Sequence, residues 1–237
     1  MRAVILAGGR GTRLAPYTTV LPKPLMPVGD RPILELLLAR LRDAGVERAT
    51  LAVGHLAPLI RAYFGDGERF GVKIDYSEED APLGTAGPIR LVAGLSETFL
   101  MMNGDLLTDL LFDRLVAHHR TTGAAATVGL CRRDVRVSLG VIDLDGAGFV
   151  TGYTEKPTWQ YLASMGVYAL EPSVLSYVPA AGPFDLPDLV RALVAAGQRV
   201  AGFVHEGYWL DIGRPEDYER AQSDIAEGRF PLGGGPA

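Results

Sequence analysis

The stretch Arg2-Ala3-Val4-Ile5-Leu6-Ala7-Gly8-Gly9-Arg10-Gly11-Thr12-Arg13-Leu14 decides the fold. Residues 2–7 are a mainly apolar run of strand length, and the run breaks on glycine instead of passing into a helix. Gly8, Gly9 and Gly11 let successive backbone N–H groups come close to an anion, while Thr12, Arg10 and Arg13 add further donors. A plain tight turn would use the same glycines. Two familiar phosphate loops fail on spacing: the dinucleotide fingerprint needs glycine where Leu14 stands, and the Walker loop needs Gly-Lys-Ser/Thr, whereas no lysine here follows a glycine.

Outward from this loop the chain alternates short apolar runs with amphipathic ones. A helix is expected over residues 32–44, with Ile33, Leu36, Leu37 and Leu41 on one face, Asp30 as its cap and Pro32 in its first turn. Strands follow at 50–53, 72–76, 98–102 and 124–130, with helices at 58–64, 86–95 and 108–120. This order predicts an α/β fold, a Rossmann-like, mostly parallel central sheet with helices on both faces. Strands at 139–144, 149–153 and 161–170 then succeed one another without helices, the first two joined by Asp145-Gly146, which reads as a small antiparallel insertion. Helices return at 172–177, 187–196 and 215–226, with a strand at 200–204. Residues 1–227 are read as a single domain and 228–237, rich in Gly and Pro, as a disordered tail.

Composition excludes several classes. With 237 residues, 48% hydrophobic, the chain can bury a core without disulfides or a structural metal, and Cys131 stands alone. A net charge of −5 argues against nucleic acid or an anionic membrane as partner. The apolar runs are too short for a signal-peptide core or a membrane span, so a cytoplasmic protein is expected. Of the 23 basic residues only Lys23, Lys73 and Lys156 are lysines. If arginine has been accepted wherever it is tolerated, these three mark positions where a compact ammonium is needed.

Parallel sheets bind ligands at the carboxyl ends of their strands, so the segments after residues 7, 76, 102 and 204 are where chemistry belongs. Lys23 lies between Pro22 and Pro24, each of which stiffens the chain, and a lysine so held suits a point contact with phosphate as well as it suits a solvated loop. Asn103-Gly104-Asp105 ends a buried strand, where a turn or a magnesium carboxylate is expected. In Trp209-Leu210-Asp211-Ile212-Gly213 an acid stands among apolar neighbours, either coordinated or capping the last helix. Glu155-Lys156-Pro157 is a surface ion pair or a second phosphate contact, and Pro82-Leu83-Gly84-Thr85-Ala86-Gly87 is a helix entry or a loop able to read a base edge.

Residues 6–32, from Leu6-Ala7-Gly8-Gly9 through Leu21-Pro22-Lys23-Pro24 to Arg31-Pro32, resemble the signature of the sugar-1-phosphate nucleotidylyltransferases, and further matches run to about Glu219. The resemblance implies attack of a sugar 1-phosphate oxygen on the α-phosphorus of a nucleoside triphosphate, with release of pyrophosphate. It implies that Gly8, Gly9, Gly11 and Thr12 cradle the triphosphate and that Arg13 and Lys23 stabilise the departing pyrophosphate. By the same resemblance Asp105 and Asp211 hold Mg2+, Asn103 binds substrate, Gly84 and Thr85 border the base, and Gly140, Glu155 and Lys156 serve the sugar phosphate in the antiparallel insertion. The wording around Gly84 is similar to guanylyl-transferring members acting on mannose or heptose phosphates. A thymidylyl-, uridylyl- or cytidylyltransferase of the same fold, and a nucleotide-sugar sensor without turnover, are the alternatives. A homo-oligomer is left open, and since the sequence ends soon after the last helix, no carboxyl-terminal β-helix is expected.

Overall fold

The computed structural model describes residues 1–230. Strand β1 (Arg2–Leu6) leads into the glycine loop, and a minimal hairpin, β2 (Pro27–Val28) and β3 (Arg31–Pro32), delivers the chain to helix α1 (Ile33–Asp43). There follow β4 (Arg48–Val53), α2 (Ala57–Phe64), β5 (Lys73–Glu78), β6 (Phe99–Asn103), β7 (Leu106–Thr108), α3 (Phe112–Thr122) and β8 (Ala126–Arg136). The hairpin β9 (Val141–Leu144) and β10 (Val150–Thr154) precedes β11 (Thr158–Leu170), α4 (Leu186–Ala195), β12 (Val200–His205), β13 (Trp209–Asp211) and α5 (Pro215–Ala226).

Seven strands form one sheet in the order β12-β8-β11-β6-β1-β4-β5. Its pairs are parallel except those made by β11, which runs antiparallel to both β6 and β8. The mostly parallel sheet read from the βα rhythm is therefore present. Side chains alternate across it, as a period-2 strand requires: Ala3 and Ile5 of β1, with Leu100 and Met102 of β6, join a core that includes residues of α1, α2 and α3. Val4, Phe99 and Met101 join a second core on the opposite face, with Leu186, Leu189 and Leu193 of α4. A third cluster, Leu14, Met26, Val28, Ile33, Leu36, Leu107, Leu210, Ile212, Ala221 and Phe230, packs β7 and β13 against α1 and α5.

Several expected elements differ. In place of a helix over 86–95 there is a short 3-10 turn, Gly87–Leu91, docked through the Ala86 and Gly87 N–H groups on the Phe184 carbonyl, and Gly94 takes a left-handed φ of 74° where the helix was expected to continue. Residues 172–177 are likewise 3-10. Helix α3 starts at Phe112 and not at 108, since Thr108 is committed to a ladder with Trp209. Asp30 does not cap α1: Pro32 occupies the cap position, and the Ile33 N–H donates to the Met26 carbonyl at 3.1 Å. The expected tail begins too early, for Phe230 is buried in the third cluster, with its ring 5.1 Å from Tyr208, and Arg229 pairs with the buried Asp224. Residues 231–237 lie outside the described residues. Among the described residues no helix is long and apolar enough to cross a membrane.

Phe230 thus ties the end of the described chain to the cluster beneath β13. Phe230→Ala is expected to lower stability by about 3 kcal/mol in a urea melt, the range for emptying a buried phenyl site. A loss below about 0.5 kcal/mol, ordinary for a surface position, would show that the ring contributes no core packing.

Candidate active site

The glycine loop emerges where the sequence reading expects chemistry, at the carboxyl end of β1 and between β4 and β6. Its glycines serve different purposes. A Cβ on Gly8 would lie 3.1 Å from the Gly54 nitrogen and 3.3 Å from Glu79 Oε1, so this position is closed to any side chain without movement. Gly11 takes a left-handed φ of 61° and its Cβ would meet the Thr18 methyl at 2.9 Å, while its carbonyl accepts from Thr18 Oγ1 at 2.8 Å. Gly9 has open space where a Cβ would stand. Thr12 is exposed, and the fully buried Leu14, anchored in the third cluster, ends the loop.

Two strand ends bring the carboxylates together. Asp105 follows β6, and β13 pairs antiparallel with β7 so that Asp211 stands opposite Leu106; the Ile212 N–H donates to the Asp105 carbonyl at 3.1 Å. Lys23, its side chain 9% exposed, makes an ion pair and hydrogen bond through Nζ with Asp105 Oδ2. Burial pushes the Asp211 pKa up, the Asp105 charge adds to the rise, and Lys23 and Arg13 oppose it. Arg13 is exposed at the loop and lies over Gly213, with Nη1 3.3 Å from where a Cβ there would be. The capping role open to Asp211 goes to Asp217 instead, whose Oδ2 accepts from the N–H groups of Gly213 at 3.1 Å and Arg214 at 2.9 Å. Asp211 is left with no helix to cap.

These residues fit a divalent cation. Asp105 Oδ1 is buried and has no hydrogen-bond partner, an arrangement that costs free energy unless the oxygen is satisfied by something else. Two neighbouring carboxylates are the usual protein share of a Mg2+ site that takes its other ligands from phosphate and water.

Strand β11 carries the rest of the site. Asn103, at the end of β6, packs against Gly166, whose φ of 69° falls where the β8/β11 register shifts between Ser164 and Tyr168. That bulge also exposes the Met165 carbonyl to Trp209 Nε1–H at 2.9 Å. At the other end of β11 a second cluster forms: a Cβ on Gly140 would collide with the Tyr153 hydroxyl, Tyr153 Oη donates to Glu155 Oε2 at 2.8 Å, and Lys156 Nζ lies 3.4 Å from Glu155 Oε1. Lys156 is exposed and holds φ at 46°, an unusual conformation for a side-chain-bearing residue. Among the described residues no hydrogen bond or ion pair links this cluster to the Lys23–Asp105–Asp211 group.

The 82–87 loop docks on the start of α4. Gly84, at φ 77°, approaches the Phe184 carbonyl too closely for any Cβ; Thr85 Oγ1 donates to Asp185 Oδ1 at 3.1 Å and accepts from the Leu186 N–H at 2.8 Å. The Thr85 hydroxyl is therefore occupied in fixing the loop. Sequence reading missed Glu79, which closes the space between this loop and Gly8. Its Oε2 accepts from the Leu83 N–H at 2.9 Å, and burial pushes its pKa up against that hydrogen bond. Within the run Glu78-Glu79-Asp80 nothing distinguishes the acid that turns inward from those that face water.

Comparisons with known proteins bear on this arrangement. The family model described as nucleotidyl transferase matches residues 2–228. The chain is 36% identical over 237 residues to mannose-1-phosphate guanylyltransferase of Mycobacterium tuberculosis, covering 97% of this chain and 66% of that protein. It is also 36% identical over 241 residues to UTP–glucose-1-phosphate uridylyltransferase of Synechocystis sp., covering 93% and 62%. It spans just under two thirds of the length of these curated relatives. Among solved structures, HddC from Yersinia pseudotuberculosis complexed with GMP-PN matches with a TM-score of 0.72 at 26% identity, over 94% of this chain and 99% of that one.

The burial of Asp211, to which the Asp105 charge adds, has a measurable cost. A carboxylate whose pKa is raised on folding holds its proton more tightly in the folded state, so stability falls as pH climbs from the unfolded value through the raised one. Above the raised value the penalty is complete. In the presence of a chelator Asp211→Asn should therefore melt several degrees above the parent at pH 7, with the difference vanishing at acid pH, where both carboxyls are protonated. A variant no more stable than the parent at pH 7 would mean that no such penalty is built in.

Proposed function

This chain belongs to the nucleotidyl transferase family, and from that premise we propose that it condenses a nucleoside triphosphate, GTP by preference, with a hexose or heptose 1-phosphate to give a nucleotide sugar and pyrophosphate in the cytoplasm. The observation that carries the reading is the meeting of Lys23, Asp105 and Asp211 beside the glycine loop. A triphosphate laid along Gly8–Arg13 would meet backbone N–H groups first, then the Arg13 and Lys23 cations.

In the proposed reaction an oxygen of the sugar phosphate forms a bond to the α-phosphorus as the bond from that phosphorus to the bridging oxygen of pyrophosphate breaks. No covalent enzyme intermediate is needed, so catalysis reduces to positioning and charge stabilisation. Arg13 and Lys23 take up the negative charge that collects on pyrophosphate. Lys156 holds the attacking phosphate, and Glu155, acceptor-only when ionised, takes hydrogen bonds from sugar hydroxyls. Asp105 and Asp211 would hold Mg2+, which when bound neutralises repulsion between the two phosphate groups.

Support for GTP is of two kinds. One relative is named a guanylyltransferase and one solved neighbour holds GMP-PN. The half-buried Glu79 carboxylate, in the space between Gly8 and the Gly84 loop, accepts hydrogen bonds and cannot donate while ionised, which suits the N1–H and N2–H donors of guanine. The equally similar uridylyltransferase supports UTP as the second reading.

Two measurements test these assignments. Pyrophosphate release with four triphosphates against mannose, glucose and heptose 1-phosphates should be fastest with GTP and a mannose or heptose phosphate; a dominant rate with UTP and glucose 1-phosphate transfers the assignment to the uridylyl reading. Lys23→Arg and Lys156→Arg should each reduce turnover at least about tenfold, the loss of roughly 1.4 kcal/mol of transition-state stabilisation, while Lys73→Arg, exposed at the start of edge strand β5, leaves it unchanged. Equal tolerance at all three would reduce the lysine scarcity to compositional drift.

A further inference from the structure

The β7/β13 ladder that presents Asp211 is only three residue pairs long, Trp209 with Thr108, Leu210 with Leu107 and Asp211 with Leu106. A slip of one residue in such a ladder exchanges the faces of every side chain. Leu210 and Ile212 would leave the third cluster and Asp211 would turn into it. Something outside the ladder must therefore fix its register.

We propose that Asp109 and His205 are the positioning residues that do so. His205 Nε2 lies 2.8 Å from Asp109 Oδ1 and 3.4 Å from the Tyr208 carbonyl. Both partners are acceptors, the carboxylate when ionised, so Nε2 carries the proton and bridges them. The same Tyr208 carbonyl accepts from the Asp109 N–H at 3.2 Å and from Thr108 Oγ1 at 3.0 Å. Three donors thus converge on one carbonyl oxygen at the entrance to β13. Gly207 closes the turn over them: a Cβ there would strike the Asp109 carboxylate and come within 2.6 Å of His205 Cε1. The His205 side chain is 12% exposed and the Asp109 side chain 32%, so the pair is shielded from water on the histidine side.

Tyr208 is held at its other end as well, its hydroxyl donating to the buried Asp224 at 2.8 Å. Burial and the Asp224 carboxylate raise its pKa far above the ordinary phenol value, so it remains a donor at any working pH. With its carbonyl and its hydroxyl both fixed, Tyr208 cannot shift along the chain axis, and Asp211, three residues on, is set beside Asp105. In the described contacts Asp109 and His205 touch neither metal carboxylate, and their influence passes through the backbone of residues 208–211.

This proposal rests on the metal reading above, and the test separates the two. Mn2+ binding is followed by loss of its free electron paramagnetic resonance signal, with kcat and KM measured in parallel on the full chain. Asp109→Ala and His205→Phe should weaken Mn2+ binding by about tenfold or more, the usual cost of removing a residue that orients a metal ligand, and lower kcat while leaving the sugar phosphate KM within about twofold. Asp109→Asn and His205→Gln, which keep an acceptor and a donor, should restore most of both. Wild-type Mn2+ affinity in Asp109→Ala, or Asp109→Asn falling as far as Asp109→Ala, overturns the positioning role. Absence of Mn2+ binding in the parent, or undiminished binding in Asp211→Asn, overturns the metal assignment itself.

Discussion

Two carboxylates that repel each other are held side by side at the end of a very short ladder, and much of the surrounding structure answers to that repulsion. Burial raises the Asp211 pKa and the Asp105 charge raises it further, while the pairing of β13 with β7 keeps Asp211 opposite Leu106. Lys23 offsets the repulsion directly, at an ion pair shielded from water on the lysine side. Shielding strengthens the attraction because the local dielectric is lower than in bulk solvent, but it also makes the unpartnered Asp105 Oδ1 costly. The hydrophobic cluster that contains Leu107, Leu210 and Ile212 pulls both strands down onto α1 and α5. It supplies the packing that a three-pair ladder cannot supply from its own hydrogen bonds.

The parts of this arrangement that were legible in the sequence are those with a period or a dihedral signature. The apolar runs that became β1, β4, β5, β6, β8 and β12 were evident, and so were the glycine exit from β1 and the Asp145-Gly146 hairpin. Strands of three residues such as β7 and β13 carry too little pattern to be told from turns, and so the convergence of Asp105 with Asp211 came only from family resemblance. The helix expected over 86–95 failed for a different reason. Its spacing was adequate, but the segment closes as a five-residue 3-10 turn, and Gly94 adopts a left-handed φ of 74° where the helix would have had to continue. Asp30 and Asp211 were both plausible caps in sequence, and in both cases another group sat closer to the helix start: the Met26 carbonyl for α1, Asp217 for α5.

The two lysines singled out by scarcity are restrained in opposite ways. Lys23 is buried, its backbone set by Pro22 and Pro24 and its ammonium fixed by Asp105. Lys156 is exposed, precedes Pro157 and stands in a left-handed conformation that the flanking chain must impose. A guanidinium at the first would have to fit five donors where the structure provides one carboxylate partner. At the second the constraint is on the backbone, and it fixes the direction from which the ammonium leaves the chain more than it fixes the ammonium itself.

The antiparallel strand explains why both groups of residues occupy the same end of the molecule. Had β11 run parallel to β6 and β8, the chain would have had to enter it at the amino ends of its neighbours, far from the glycine loop. Because β11 is reversed, with Val167 beside Met102 and Leu170 beside Phe99, its first residues project past the carboxyl end of β6, on the side where Asp105 lies. Glu155 and Lys156 immediately precede that projecting end, and the Gly140 and Tyr153 cluster joins them through the β9/β10 hairpin. Midway along, the bulge at Gly166 turns the strand between Asn103 and Trp209. One reversed strand in a parallel sheet thereby connects the loop suited to the triphosphate with the hairpin suited to the sugar phosphate, and its irregularity falls beside the carboxylates, where the two substrates would have to meet.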